Sequence, residues 1–134
     1  MAITSAAATD AQRAGIAAAI ALWHGHGVAA FDPAPDGAPA APAGPAASVD
    51  IQFADAAEAF HGVYDPAGDR VLINRGITDP ATLSIVIAHE LGHAFGLVHI
   101  PPATRISLMN PDNLVTPPTD GDQQALAGLW GSCR

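Results

Sequence analysis

Residues 89–99 read HELGHAFGLVH, and no other stretch restricts so tightly what this chain can fold into. Three of the six histidines fall within those eleven positions, together with Glu90. On a helix, His89 and His93 are four residues apart, so their imidazoles leave the same face one turn apart. Two neutral imidazoles so placed grip one zinc ion at about 2.0–2.1 Å each. Glu90 lies one step round the helix, near enough to touch a metal-bound water without being a ligand, which is where a general base must stand. A catalytic zinc keeps three protein ligands and one open position. Continuing the helix would carry the chain away from the ion. Gly96 resolves this, because glycine readily takes the left-handed conformation that ends a helix and redirects the backbone. His99 follows three residues later. The fold therefore has to supply a helix that stops at Gly96 and a reversal that returns His99 to His89 and His93.

The chemistry expected of such a site follows from charge. Zinc lowers the pKa of its water to about 7 and polarises a carbonyl as a Lewis acid. Glu90 would take the proton as water attacks and pass it to the departing amine. Peptide hydrolysis needs both functions. Two other readings fit the same residues: a zinc hydrolase of a non-protein amide, and a zinc-binding module without catalysis. The unliganded Glu90 speaks against the last, since a structural site more often fills its fourth position with a ligand.

The 134 residues suit a single domain with a real core. Apolar residues make up 49% and aromatic ones 5%, so small and β-branched side chains must build that core. Five arginines and no lysine face 13 acidic residues, a formal net charge of −8, which disfavours nucleic acid and anionic membrane surfaces as partners. No apolar run reaches the roughly 18 residues of a bilayer span. The one cysteine, Cys133, has no partner within the chain and reads as an incidental tail thiol. The expectation is a monomeric, secreted protein whose signal peptide is not in the sequence at hand, acting on a peptide or protein substrate.

Along the chain, TDAQRAGIAAAIALWH (9–24) reads as a helix with Thr9 and Gln12 spaced as a capping box and Ile16, Ile20 and Trp23 on one face. Val28 to Phe31 is a candidate strand start, and the Pro/Ala-rich segment 33–47 is expected to be a surface loop within the domain. VDIQFAD (49–55) alternates apolar and polar residues as a half-buried strand does. Two short strands should flank the turn Asp65-Pro66-Ala67-Gly68. Asp79 and Pro80 are the N-cap and first residue of the helix that carries the histidines. A last helix, about 120–130, opens at Thr119 with Asp122 three residues on and is stopped by Gly131. Helix, strands, helix, irregular segment and helix make an α+β domain.

The extended pattern H-E-x-x-H-x-x-G-x-x-H resembles the signature of metzincin zinc endopeptidases, which carry a second mark, a tight turn with a methionine beneath the metal. SLMNP (107–111) stands at the expected distance, and Met109 would be the apolar floor under the imidazoles. Within that clan the chain is most similar to matrixins. Leu108, Met109 and Pro111 match their L-M-x-P turn, and Leu129, Trp130 and Gly131 match the L-Y-G that closes their last helix. The resemblance is strong over 80–131 and loose over 49–79. It implies a twisted, mostly parallel sheet with one antiparallel edge strand bordering the cleft, a backing helix, the active-site helix and a C-terminal helix. It also implies that Asp122 supports the Met-turn by hydrogen bonds, that Ile85 governs the S1′ pocket with an apolar P1′ preference, and that Pro111, Asp112 and Asn113 form that pocket's outer wall. An edge strand through AFHGVY, with His61 and Gly62, would bind substrate by strand addition.

The chain departs from matrixins in two places. AEAFHGVYDPAGDRVLINRG (56–76 without its first residue) is too short and too poor in His and Asp to hold structural zinc and calcium, so only the single catalytic zinc is expected. The first of the two adjacent aspartates that open their last helix is Gly121 here, which puts a salt bridge from a freed N-terminus in doubt. Outside the pattern, His24 and His26 read as a solvated helix end, His61 as surface or cleft rim, and Tyr64 as core packing rather than an oxyanion donor.

Overall fold

The computed structural model describes residues 2–24, 32–33 and 48–130. Their elements are β1 (Ala2–Thr4), α1 (Asp10–His24), β2 (Asp32–Pro33), β3 (Ser48–Ala54), β4 (Gly62–Asp65), β5 (Arg70–Asn74), α2 (Pro80–Ala94) and α3 (Asp120–Trp130). The described residues make an α+β fold, with five strands in the order β2-β1-β3-β5-β4. Four of them run parallel, and β4 pairs antiparallel with β5 at the edge. Strand β1 is absent from the sequence reading. Three residues are too few to show an alternation, and its partners are distant in sequence, at Asp32–Pro33 and at Ser48 to Asp50. The candidate strand at Val28 to Phe31, His26, the segment 34–47, Gly131 and Cys133 lie outside the described residues.

Both long helices begin where their caps require. Thr9 and Gln12 form the reciprocal capping box, with the Gln12 N–H donating to Thr9 Oγ1 (3.2 Å) and the Thr9 N–H to Gln12 Oε1 (2.8 Å). Asp79 caps α2 by accepting from the Thr82 N–H (2.9 Å), with Pro80 in the first turn where its missing N–H costs nothing.

The alternation of β3 puts Val49 and Ile51 on the face where Val71 and Ile73 of β5 also point, and all four are at most 1% exposed. Onto them pack Ile16, Ile20 and Trp23 of α1 and Leu83, Val86, Ile87 and Leu91 of α2, in one cluster. Each such aliphatic side chain removed from water contributes about 1.5–3 kcal/mol. The helix α2 is buried on every side from Leu83 to Gly92, which explains its continuous apolar run. Trp23, with 0% exposure, joins the two helices through its indole N–H, which donates to the Ala88 carbonyl (3.0 Å), and through an edge-on contact with Phe95. A buried indole needs such an acceptor.

Gly92 lies in the middle of α2, where glycine normally costs about 0.5–1 kcal/mol relative to alanine. Its reason is space: a Cβ there would stand 2.5 Å from Met109 Sδ and 3.3 Å from Trp23 Cζ2. Met109 is itself fully buried, so it has little room to retreat. Gly92→Ala is therefore expected to destabilise the protein by about 1–3 kcal/mol, against the helix-propensity trend. Urea unfolding measures it, and a gain in stability would show that Met109 repacks freely.

Candidate metal centre

The reversal after α2 is built by a few hydrogen bonds. Phe95 caps the helix, and Gly96 follows at φ +100°, a left-handed value that strains any L side chain. The Gly96 N–H donates to the His93 carbonyl (3.0 Å) and the Leu97 N–H to the Gly92 carbonyl (2.9 Å). These two bonds define a Schellman ending. The same turn carries the Leu97 carbonyl back to the helix, where it accepts from His93 Nδ1 (2.9 Å). The glycine that returns His99 to the site thus also orients His93.

His89 is oriented from the opposite side. Its Nδ1–H donates to the Leu108 carbonyl (2.7 Å) in the turn Ser107–Asn110. A carbonyl oxygen only accepts, so both ring hydrogens sit on Nδ1, and the lone pairs of His89 and His93 sit on Nε2. The Nε2 of His89 lies 3.2 Å from that of His99. One nitrogen from each of the three rings falls within 4.8 Å of the others. Two nitrogens bound at about 2.1 Å to one tetrahedral ion stand roughly 3.4 Å apart, so the convergence fits a metal ion. His89 is buried, His93 intermediate and His99 exposed, which leaves the site open to solvent on the His99 side. Burial holds the His89 imidazole well below its ordinary value, at about 4, against the opposing hydrogen bond to Leu108, and burial likewise lowers His93. Both rings are therefore neutral, as ligands must be.

Glu90 is 7% exposed and faces the same cleft. The edge strand causes this burial: a Cβ on Gly62 would lie 3.1 Å from Glu90 Cγ, so β4 runs directly over the side chain. Loss of water pushes the Glu90 carboxyl up from 4.5 to about 7, opposed only by a hydrogen bond from the backbone N–H of Tyr64. A cation held by the histidines would draw it down again.

The cleft, about 300 Å³, is lined by His61, Gly62, His89, Glu90, His99, Pro111, Asp112 and Asn113, among others. The structure thus brings His61, Gly62, Pro111 and Asn113 to the histidine triad. Asn113 also holds its own wall together. Its Nδ2 donates to the Leu108 (3.1 Å) and Thr116 (2.7 Å) carbonyls, while Oδ1 accepts from Thr116 N (2.8 Å). Ile85 is 7% exposed and Val86 2% exposed, both within the core cluster, and Val86, three positions before His89, is the one of the two that lines the cleft. The Tyr64 hydroxyl donates to Asp69 Oδ1 (3.1 Å) in the β4–β5 turn, and its ring packs on the core.

Beneath the site, Ser107–Asn110 forms a tight turn closed by the Asn110 N–H to the Ser107 carbonyl (3.2 Å). Met109 is fully buried against Gly92, between the two ligand-bearing positions of α2. Its carbonyl accepts from the Ile100 N–H (2.9 Å), and Asn110 Nδ2 donates to the Ile100 carbonyl (2.8 Å), so the turn also anchors the residue after His99. Asp122, 0% exposed, accepts from the Leu108 N–H (2.9 Å) and from the Ser107 hydroxyl. These and further donors hold its carboxyl below its usual range despite burial. Gly92, Leu97 and Arg105 were not visible as site residues in the sequence, although a glycine at mid-helix between two ligands is a signal of close packing.

The chain matches no protein-family model, and no curated protein matches its sequence.

The metal-free protein should show the cost of burying Glu90. A carboxyl raised from 4.5 to about 7 contributes fully below pH 4.5, and stability falls as pH rises through 7. His89 acts oppositely, losing stability as pH falls from 6.5 to about 4, but it is common to wild type and a Glu90 variant and cancels in their difference. Glu90→Gln is expected to be more stable than wild type by on the order of 2–3 kcal/mol above pH 7, the gain vanishing near pH 4.5. Urea unfolding in chelator across this range checks it; a pH-independent difference would refute the burial argument.

Proposed function

We propose that the protein is a zinc-dependent endopeptidase of the metzincin type, with His89, His93 and His99 as ligands and Glu90 as general base. The observation that carries this reading is the convergence of three imidazole nitrogens beside a buried carboxyl, in a cleft bordered by a sheet edge. Nitrogen donors suit zinc, whereas calcium and magnesium prefer oxygen. When bound, zinc supplies Lewis acidity, polarising a carbonyl and acidifying water.

The chain's own groups account for the remaining steps. The side of β4 away from β5 offers N–H and C=O groups to an extended peptide, which would bind as an added strand. The Glu90 carboxylate takes a proton from the attacking water and delivers it to the amine that leaves. Its burial under Gly62 shields it from bulk water and raises its proton affinity, which a cation at the histidines would moderate. The Leu108 and Leu97 carbonyls hold the His89 and His93 rings in the tautomer that presents Nε2. Val86 and the Pro111–Asn113 wall bound the space for a substrate side chain, favouring an apolar residue there.

The protein should carry about one zinc per chain, released by chelator, and should cut a random peptide library. Glu90→Gln should retain the zinc while losing about 10²–10⁴-fold in turnover. Undiminished cleavage by that variant would remove Glu90 as the base. Turnover of small amides with no peptide cut would instead favour an amidase acting on non-protein substrates.

A further inference from the structure

We infer that Arg105 is a positioning residue for the metal centre, acting on His89 through Asp122 and the Leu108 peptide, and that Gly121 provides the space its guanidinium occupies. Arg105 Nη1 donates to Asp122 Oδ1 (2.9 Å) and, at longer range, to Thr119 Oγ1 (3.4 Å). The other carboxylate oxygen, Oδ2, accepts from the Leu108 N–H (2.9 Å), and the carbonyl of Leu108 accepts from His89 Nδ1 (2.7 Å). Three consecutive hydrogen bonds therefore join the arginine to the ring that offers Nε2 to a metal.

The charge of Asp122 makes this path matter. A fully buried carboxylate left without a cation is costly enough to shift its proton affinity or its position. Arg105 is partly buried and forms the ion pair with it. The arginine's backbone belongs to the same unit, since its carbonyl accepts from Asn110 Nδ2 (3.0 Å) in the turn. The fit depends on residue 121 having no side chain. A Cβ there would stand 2.8 Å from Arg105 Nη1 and 3.0 Å from Cζ. Relief of that contact would fall on the guanidinium, the flexible end of the side chain, and so on its bond to Asp122.

This inference rests on the reading that the triad holds a metal, and the test separates the two. Zinc affinity would be measured on the full chain by competition with a chromophoric chelator, alongside the visible spectrum of the cobalt-substituted protein. Arg105→Met, which keeps the stem and removes the charge, should weaken zinc binding by about 10–100-fold and alter the cobalt spectrum. Arg105→Lys should restore part of the loss. Gly121→Ala, a milder change that keeps the arginine but crowds its guanidinium, should weaken zinc binding in the same direction. It guards against Arg105→Met simply failing to fold. If the wild type binds zinc and both variants bind it unchanged, the inference is overturned. If the wild type binds no zinc, the metal reading falls. The clamp is then judged by the His89 Nδ1–H signal in nitrogen-resolved NMR of the metal-free protein, where an unshifted signal in both variants overturns it too.

Discussion

A single peptide group, that of Leu108, is where the architecture of the site converges. Its carbonyl holds the His89 ring and its N–H is held by the buried carboxylate of Asp122. Neither bond would mean much alone, because one net hydrogen bond contributes only about 0.5–1.5 kcal/mol. Their importance is geometric. A peptide fixed on both sides cannot rotate, so the imidazole that depends on it keeps its tautomer and direction. The flanking residues extend the constraint. Met109 wedges the turn against α2 at Gly92, and its carbonyl secures the residue beside His99.

The two histidines on α2 are oriented by different devices. His89 relies on a turn whose acceptor, Leu108, lies 19 residues downstream, whereas His93 relies on the helix's own ending, through the Leu97 carbonyl. Gly96 therefore does two jobs with one left-handed residue: it reverses the chain toward His99 and places the acceptor for His93. Glu90, between them in sequence, is fixed from a third direction by the strand that crosses it at Gly62. Helix, turn, reversal and sheet edge each contribute one restraint to one centre. The burial that raises the Glu90 carboxyl works against stability in the metal-free protein, a cost that a cation at the histidines would reduce.

What could be read from the residues without coordinates was whatever depends on short separations. Cap spacing at Thr9 and Asp79, the alternation of β3, the turn at Asp65–Gly68 and the stop at Gly96 are local, and backbone sterics decide them within a few positions. The spacing of His89, His93 and His99 is local in the same sense, so their convergence was legible, and His61, Gly62, Pro111 and Asn113 line the cleft beside them. The short strand β1 was not, because it pairs with residues 30 and 46 positions away. That Val86 lines the cleft is non-local too: Ile85 and Val86 both belong to the core cluster, and only the packing of α2 against its neighbours brings Val86 to the cleft wall. The ion pair of Arg105 with Asp122, the vacancy at Gly121 and the contact of Gly92 with Met109 belong to the same class. Each is a distance between segments brought together by burial, and no pattern within either segment encodes it.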